Sequence, residues 1–113
     1  MSWEIEFYED DKQNMPVIEF LLSLPAKEQA KANWTINLLE RTGVNLTQPY
    51  VKHLEGALWE LRTNNNRILY FLDKNVFVLL HGFKKKTMKL PVREKEIALK
   101  RMEIYLKRGE ENG

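Results

Sequence analysis

Apolar and polar side chains alternate with period two through Trp3-Glu4-Ile5-Glu6-Phe7-Tyr8, as a half-buried strand requires, until Asp10-Asp11 breaks the pattern. Asn14-Met15-Pro16 then reads as a helix entry with proline in the first turn, and the apolar segment 17–22 as a short helix. Pro25 opens a second helix in the same way, Gly43 is a suitable stop, and Ala30, Trp34 and Leu38 at four-residue spacing supply an apolar stripe. The two helices are expected to form a hairpin. Between Gly43 and Leu54 stand Asn45, Thr47 and Pro49 without a clear period, which reads as a connection. Three β-rich runs follow at 58–62, 67–72 and 76–83, separated by Thr63-Asn64-Asn65-Asn66 and Asp73-Lys74-Asn75. Turns this short imply an antiparallel meander. Pro91 introduces a last helix over residues 92–107, with Ile97, Met102, Ile104, Tyr105 and Leu106 as candidate core contacts, and the polar stretch 109–113 reads as a frayed tail. The expected fold is α+β in the order βααβββα: a mostly antiparallel four-stranded sheet, an N-terminal helix hairpin and a C-terminal helix.

Composition narrows the chemistry. A chain of 113 residues with 43% hydrophobic and 30% charged side chains is expected to form one domain, residues 1–113, around one core. Cysteine is absent, which excludes disulfides, thiol nucleophiles and cysteine-ligated metals and suits a reducing cytoplasm. The first residues are acidic and hold no long apolar run, so neither a secretory signal nor a membrane anchor is expected there. Only His53 and His81 are available as histidines, so no metal site and no cofactor is expected. Phosphate-loop, nucleophile-elbow and zinc-protease motifs are missing, which disfavours nucleotide hydrolysis, acyl transfer and zinc proteolysis.

Charge changes the picture more. The net charge is +2, yet residues 1–41 carry four basic and eight acidic side chains, while residues 42–113 carry fourteen and eight. The second part is the polyanion-facing candidate. Strand periodicity sends Leu58, Glu60 and Arg62 to one face, and Arg67, Leu69 and Phe71 share a face on the next run. Ile68, Tyr70 and Leu72 then face the helices. With helices on one side only, the other face would be a polar groove in which Arg62 and Arg67 flank the same turn, their guanidinium forks suited to phosphate oxygens. The plain alternative is that either arginine pairs with Glu60, Glu55 or Asp73 and only solubilises an exposed sheet.

Lys84, Lys85, Lys86 and Lys89 form the densest basic run, where the last strand ends. Mutual repulsion favours proton transfer by one of them, whereas a solvated charge run would contact nothing in particular. His81, between Leu80 and Gly82, reads as a core or supporting residue or as a direct participant. Trp34 and Trp59 are assigned to packing. Tyr105, one turn after Arg101, either anchors the last helix or reaches the groove.

The string Leu58-Trp59-Glu60-Leu61-Arg62, the strand from Arg67 to Phe71, Leu79-Leu80-His81-Gly82-Phe83-Lys84-Lys85, and Lys89-Leu90-Pro91 followed by Glu94, Ile97, Ala98, Arg101 and Tyr105 together resemble the phage-derived, HigB-like branch of the RelE/ParE toxin superfamily. The resemblance spans nearly the whole chain. It implies the toxin of a type II toxin–antitoxin system, a metal-independent endoribonuclease that cleaves mRNA on the ribosome by attack of the ribose 2′-hydroxyl and so inhibits translation. Carried over by position, Arg62, Arg67 and Lys84 or Lys85 are the expected catalytic residues, with Lys52, Lys86, Lys89 and His81 as RNA-binding residues. The chain departs from RelE in having lysines rather than arginines after Gly82, and it lacks the C-terminal catalytic histidine of the YoeB-like branch. The expected partners are a HigA-like helix-turn-helix antitoxin, with the acidic N-terminal face as its candidate contact, and promoter DNA only through the antitoxin complex; no membrane is expected. A ParE-like gyrase inhibitor on the same fold, or a protein that only binds nucleic acid through its lysines, are the competing readings.

Overall fold

The computed structural model describes residues 2–112. Its elements are β1 (Glu4–Phe7), α1 (Pro16–Leu22), α2 (Ala26–Thr42), a single 3-10 turn (Gly43–Asn45), β2 (Val51–Glu55), β3 (Leu58–Thr63), β4 (Asn66–Asp73), β5 (Val76–Lys84) and α3 (Val92–Asn112). The strands form one sheet in the order β1-β5-β4-β3-β2. β2 to β5 make an antiparallel meander, and β1 joins β5 in parallel, with Glu4 opposite Val76 and Phe7 opposite Leu79. Positive φ at Gly56, Asn64 and Lys74 closes the three hairpins.

The helix hairpin packs on one face of the sheet. Val17 and Leu21 of α1 and Ala32, Ile36 and Leu39 of α2 meet Val51, Leu61, Ile68, Tyr70, Phe77 and Leu79. The buried stripe of α2 is therefore Ala32, Thr35, Ile36 and Leu39 and not the expected Ala30, Trp34 and Leu38. Thr35 is legible there only with hindsight, because its hydroxyl is satisfied by donating 2.8 Å to the Lys31 carbonyl. Trp34 and Trp59, expected in the core, are 44% and 36% exposed.

Three further expectations are corrected. The sheet has five strands, because β2 forms within the stretch read as a connection. As an edge strand with one partner and a bulge between His53 and Glu55, it buries only Val51 fully and so shows no alternation. Helices cover both faces: α3 crosses the second one, where Ala98, Met102, Ile104 and Tyr105 pack with Tyr8, Leu58, Leu69, Phe71, Val78 and Leu80. Exposing side chains of this size would forfeit about 1.5–3 kcal/mol apiece, which is why a strand apolar on both sides demands a second layer. Finally, α3 runs on through Gly109 to Asn112, past the expected start of the tail; Gly113 lies outside the described residues.

α3 does not cover the whole second face. It lies over the end of the sheet nearest Leu58, Phe71 and Val78. The opposite end, around the β3–β4 turn, is left to polar side chains.

Candidate active site

The bare end of the sheet is built from register. Arg62 stands directly opposite Arg67, and Glu60 stands between Lys52 on β2 and Leu69 on β4. Like charges placed opposite one another on a sheet repel. Here the repulsion is offset from below: the Glu60 carboxylate is 1% exposed, and its Oε1 accepts from Arg62 Nε at 2.9 Å and lies 3.5 Å from Arg67 Nε. Arg67 Nη1 also donates to the turn carbonyls of Asn64 and Asn66, at 2.8 and 3.0 Å. Burial and, to a smaller degree, the Arg62 charge pull the Arg67 pKa below the ordinary arginine value, against the opposing pull of Glu60. Arg67 remains a cation at any working pH. The expected alternatives thus coincide, since the arginines pair with Glu60 and still present their outer edges to an open cleft.

That cleft, about 550 Å³, is lined by Lys52, Arg62, Asn65, Arg67, Lys85, Lys86, Thr87 and Met88. Arg62, Arg67, Lys85, Lys52 and Lys86 are brought together as the sequence motifs imply. Lys84, Lys89 and His81 are not among its walls. Lys84 instead faces the helix hairpin, its Nζ donating 3.2 Å to Glu28 of α2. Asn66 Nδ2 donates to the same Glu28 oxygen at 3.0 Å, and these two bonds hold the Glu28 carboxyl below its ordinary pKa.

A β-bulge separates the two lysines. Leu69 pairs with His81 but Tyr70 with Leu79, so β5 carries one extra residue at Leu80. Below the bulge Val78 and Leu80 face the second core; beyond it His81 and Phe83 do. The shift carries Lys85 onto the arginine face and turns Lys84 away. A hydrogen bond from the Lys85 N–H to the Asn65 carbonyl, 2.7 Å, extends the strand and fixes Lys85 beside the turn.

His81 belongs to the docking of α3. Arg101 Nη1 donates to Nδ1 at 3.2 Å and to the Leu80 carbonyl at 2.9 Å, so the neutral ring carries its proton on Nε2 and donates it to Glu94 at 2.6 Å. Burial lowers the His81 pKa, with the Glu94 bond pulling the other way and the Arg101 charge adding to the depression. The ring stacks on Phe83 with centroids 5.8 Å apart. Tyr105 is an anchor: it meets Phe71 edge-on at 5.7 Å, and burial with its bond to Glu6 raises its pKa. Among the described residues no cluster of three or more acidic or histidine side chains could hold a metal ion.

What motif reading missed is Asn65, Thr87 and Met88 as cleft walls; of the three acids offered as partners for the arginines, Glu60 is the one that holds both. Glu60 had a signal: a charged residue between Trp59 and Leu61, on the same face as Arg62, in a strand otherwise headed for burial.

No curated protein matches the sequence. In three dimensions the chain is similar to one from the crystal structure of the toxin–antitoxin complex RelBE2 of Mycobacterium tuberculosis, with a TM-score of 0.57 and 18% identity over 75% of this chain and 100% of that one. That likeness is one of fold, and it agrees with the RelE-like architecture expected from the motifs. No helix among the described residues is long and apolar enough to cross a membrane. The family described as phage derived protein Gp49-like (DUF891) matches residues 19–103, which takes in the end of α1, α2, the meander, the cleft and the greater part of α3; the chain belongs to this phage-derived family.

Proposed function

We propose that the protein is the toxin of a toxin–antitoxin pair and acts as a metal-independent endoribonuclease on ribosome-bound mRNA in the cytoplasm. The observation that carries this reading is the shared cleft: Arg62, Arg67 and Lys85 line one cavity at the uncovered end of the sheet. Had Arg67 and Lys85 stood on opposite surfaces, no phosphate could have met both.

Arg62 and Arg67 bind the non-bridging oxygens of the scissile phosphodiester. The ribose 2′-oxygen attacks phosphorus, the bond to the 5′-oxygen breaks, and the departing oxygen takes a proton from the ammonium of Lys85 or Lys86. The products are a 2′,3′-cyclic phosphate and a 5′-hydroxyl. The 2′-hydroxyl proton leaves to solvent, because Glu60 is committed to two guanidiniums and His81 to Glu94. Rate enhancement then rests on preorganised positive charge around the phosphorane, not on paired acid and base. A helix-turn-helix antitoxin is the partner proposed to restrain it, in keeping with the toxin–antitoxin complex in which the similar fold was solved.

Arg62→Ala is the cleaner test, since among the described residues Arg62 makes a single side-chain bond whereas Arg67 also braces the turn. The expected loss of mRNA cleavage, read by primer extension after induction, is about a hundredfold or more with the far-ultraviolet spectrum unchanged. Wild-type cleavage by Arg62→Ala would sink the mechanism. Intact transcripts with a DNA-damage response in the wild type would point to gyrase inhibition instead.

A further inference from the structure

The arginine pair is a wall shared by two recesses. On the other side of the β3–β4 turn lies a second cleft of about 440 Å³, bounded by Arg62, Arg67, Lys31, Pro49, Tyr50, Thr63 and Asn64. Its contents differ from those of the first. Tyr50 is half-buried, with its carbonyl fixed by the Arg62 N–H at 2.7 Å, and its ring lies 6.0 Å from that of Trp34. Lys31 Nζ sits 4.6 Å over the Trp34 indole, which holds the ammonium at the rim. Thr63 is 1% exposed, and its hydroxyl finds no hydrogen-bond partner among the described residues.

Part of Tyr50 packs against the core under the helix hairpin, but little else here serves the fold. Lys31 and Trp34 lie off the buried stripe of α2, and a buried hydroxyl without a partner costs free energy. An aromatic face and an ammonium next to two guanidiniums match one ligand chemistry: a nucleoside beside a phosphate. The base has a flat π-face for Tyr50 and polar edges for the exposed Asn64 amide, and a further phosphate suits Lys31. We infer that this second cleft is a nucleoside subsite that stacks the base flanking the phosphate held by Arg62 and Arg67. The inference rests on the RNA-cleaving reading and extends it from a phosphate clamp to a track for single-stranded RNA around the turn.

The test compares two labelled probes on the full chain by fluorescence anisotropy: a 2′-O-methyl oligoadenylate, which lacks the attacking hydroxyl, and an abasic oligonucleotide with the same number of phosphates. The wild type is expected to prefer the base-bearing probe about tenfold, as one stacked base provides. Tyr50→Leu keeps apolar volume and should bring the ratio close to one, while Tyr50→Phe should preserve it. A wild-type ratio near one, or a ratio that survives Tyr50→Leu, overturns the subsite. Arg62→Ala should weaken both probes alike. If both bind and both depend on Arg62 but no base preference exists, the subsite alone fails; if neither probe binds, or Arg62→Ala changes nothing, the phosphate clamp fails with it.

Discussion

Glu60→Gln isolates the electrostatic core of the site with almost no change of shape. The amide oxygen can still accept from Arg62 Nε, and the amide nitrogen takes the place of Oε2, which meets no partner among the described residues. What vanishes is the negative charge 2.9 Å from one guanidinium nitrogen and 3.5 Å from another. At such distances each pair attracts by roughly 5 kcal/mol in an effective dielectric of about 20. Most of that is cancelled by the hydration Glu60 has given up, and the arginine side chains, 29% and 15% exposed, can turn toward water once released. The net loss should be about 2–3 kcal/mol, or roughly 10 °C in the thermal midpoint for a chain of this length. The compensation is as informative as the loss, because a pair of uncompensated guanidiniums opposite one another is a better anion receptor. Thermal denaturation followed by circular dichroism, with and without added inorganic phosphate, should show the variant recovering more of its midpoint than the wild type gains. A variant that melts like the wild type, or that phosphate stabilises no more than the wild type, would refute the assignment of Glu60 as the shared counter-charge.

The two lysines divided by the β5 bulge should behave differently: Lys85→Ala should lower RNA cleavage about tenfold or more, whereas Lys84→Ala, which removes only the exposed contact with Glu28, should cleave like the wild type in the same primer-extension assay. Because the folded chain keeps His81 neutral below its ordinary value of 6.5, the unfolded chain takes up a proton first as pH falls, so His81 contributes stability above that value that is lost through the window beneath it. Melting curves from about pH 7.5 to about pH 5.5 should show this decline, and His81→Gln should flatten it even with Glu94, Arg93 and Arg101 in place. At Gly43, where φ is +64° and a Cβ would overlap the Trp3 indole, alanine should cost about 2–4 kcal/mol in a urea titration.

Strong local signals carried much of the architecture. Pro16, Pro25 and Gly43 punctuate the two helices where expected, and the turns at Asn64-Asn65 and Lys74-Asn75 set the meander. Weak signals failed for identifiable reasons. β2 has a single partner and a bulge, and therefore no alternation to read. The stripe of α2 was displaced because Ala30, Trp34 and Leu38 look as good on a helical wheel as Ala32, Ile36 and Leu39, and only the neighbouring sheet chooses between them. The run Val76-Phe77-Val78-Leu79-Leu80, apolar on both sides, is the signal of a sheet covered on both faces, and the expectation of helices on one side alone passed over it. In the site, period two was enough to unite Glu60, Arg62 and Arg67, but not to choose between Lys84 and Lys85. That choice depends on one inserted residue at Leu80, which propensity cannot locate.

The parallel seam between β1 and β5 has a consequence for the chain during its own synthesis. β1 is made well before its partner, with Glu4 waiting for Val76. A nascent chain can close its helix hairpin and begin the meander from local contacts, but the sheet gains its last edge only after β5 has emerged, and such distant pairings form late. Lys85 and Lys86 emerge later still. A protein proposed to attack the translation machinery is thus assembled in an order that withholds its working surface until the whole meander has left the ribosome making it.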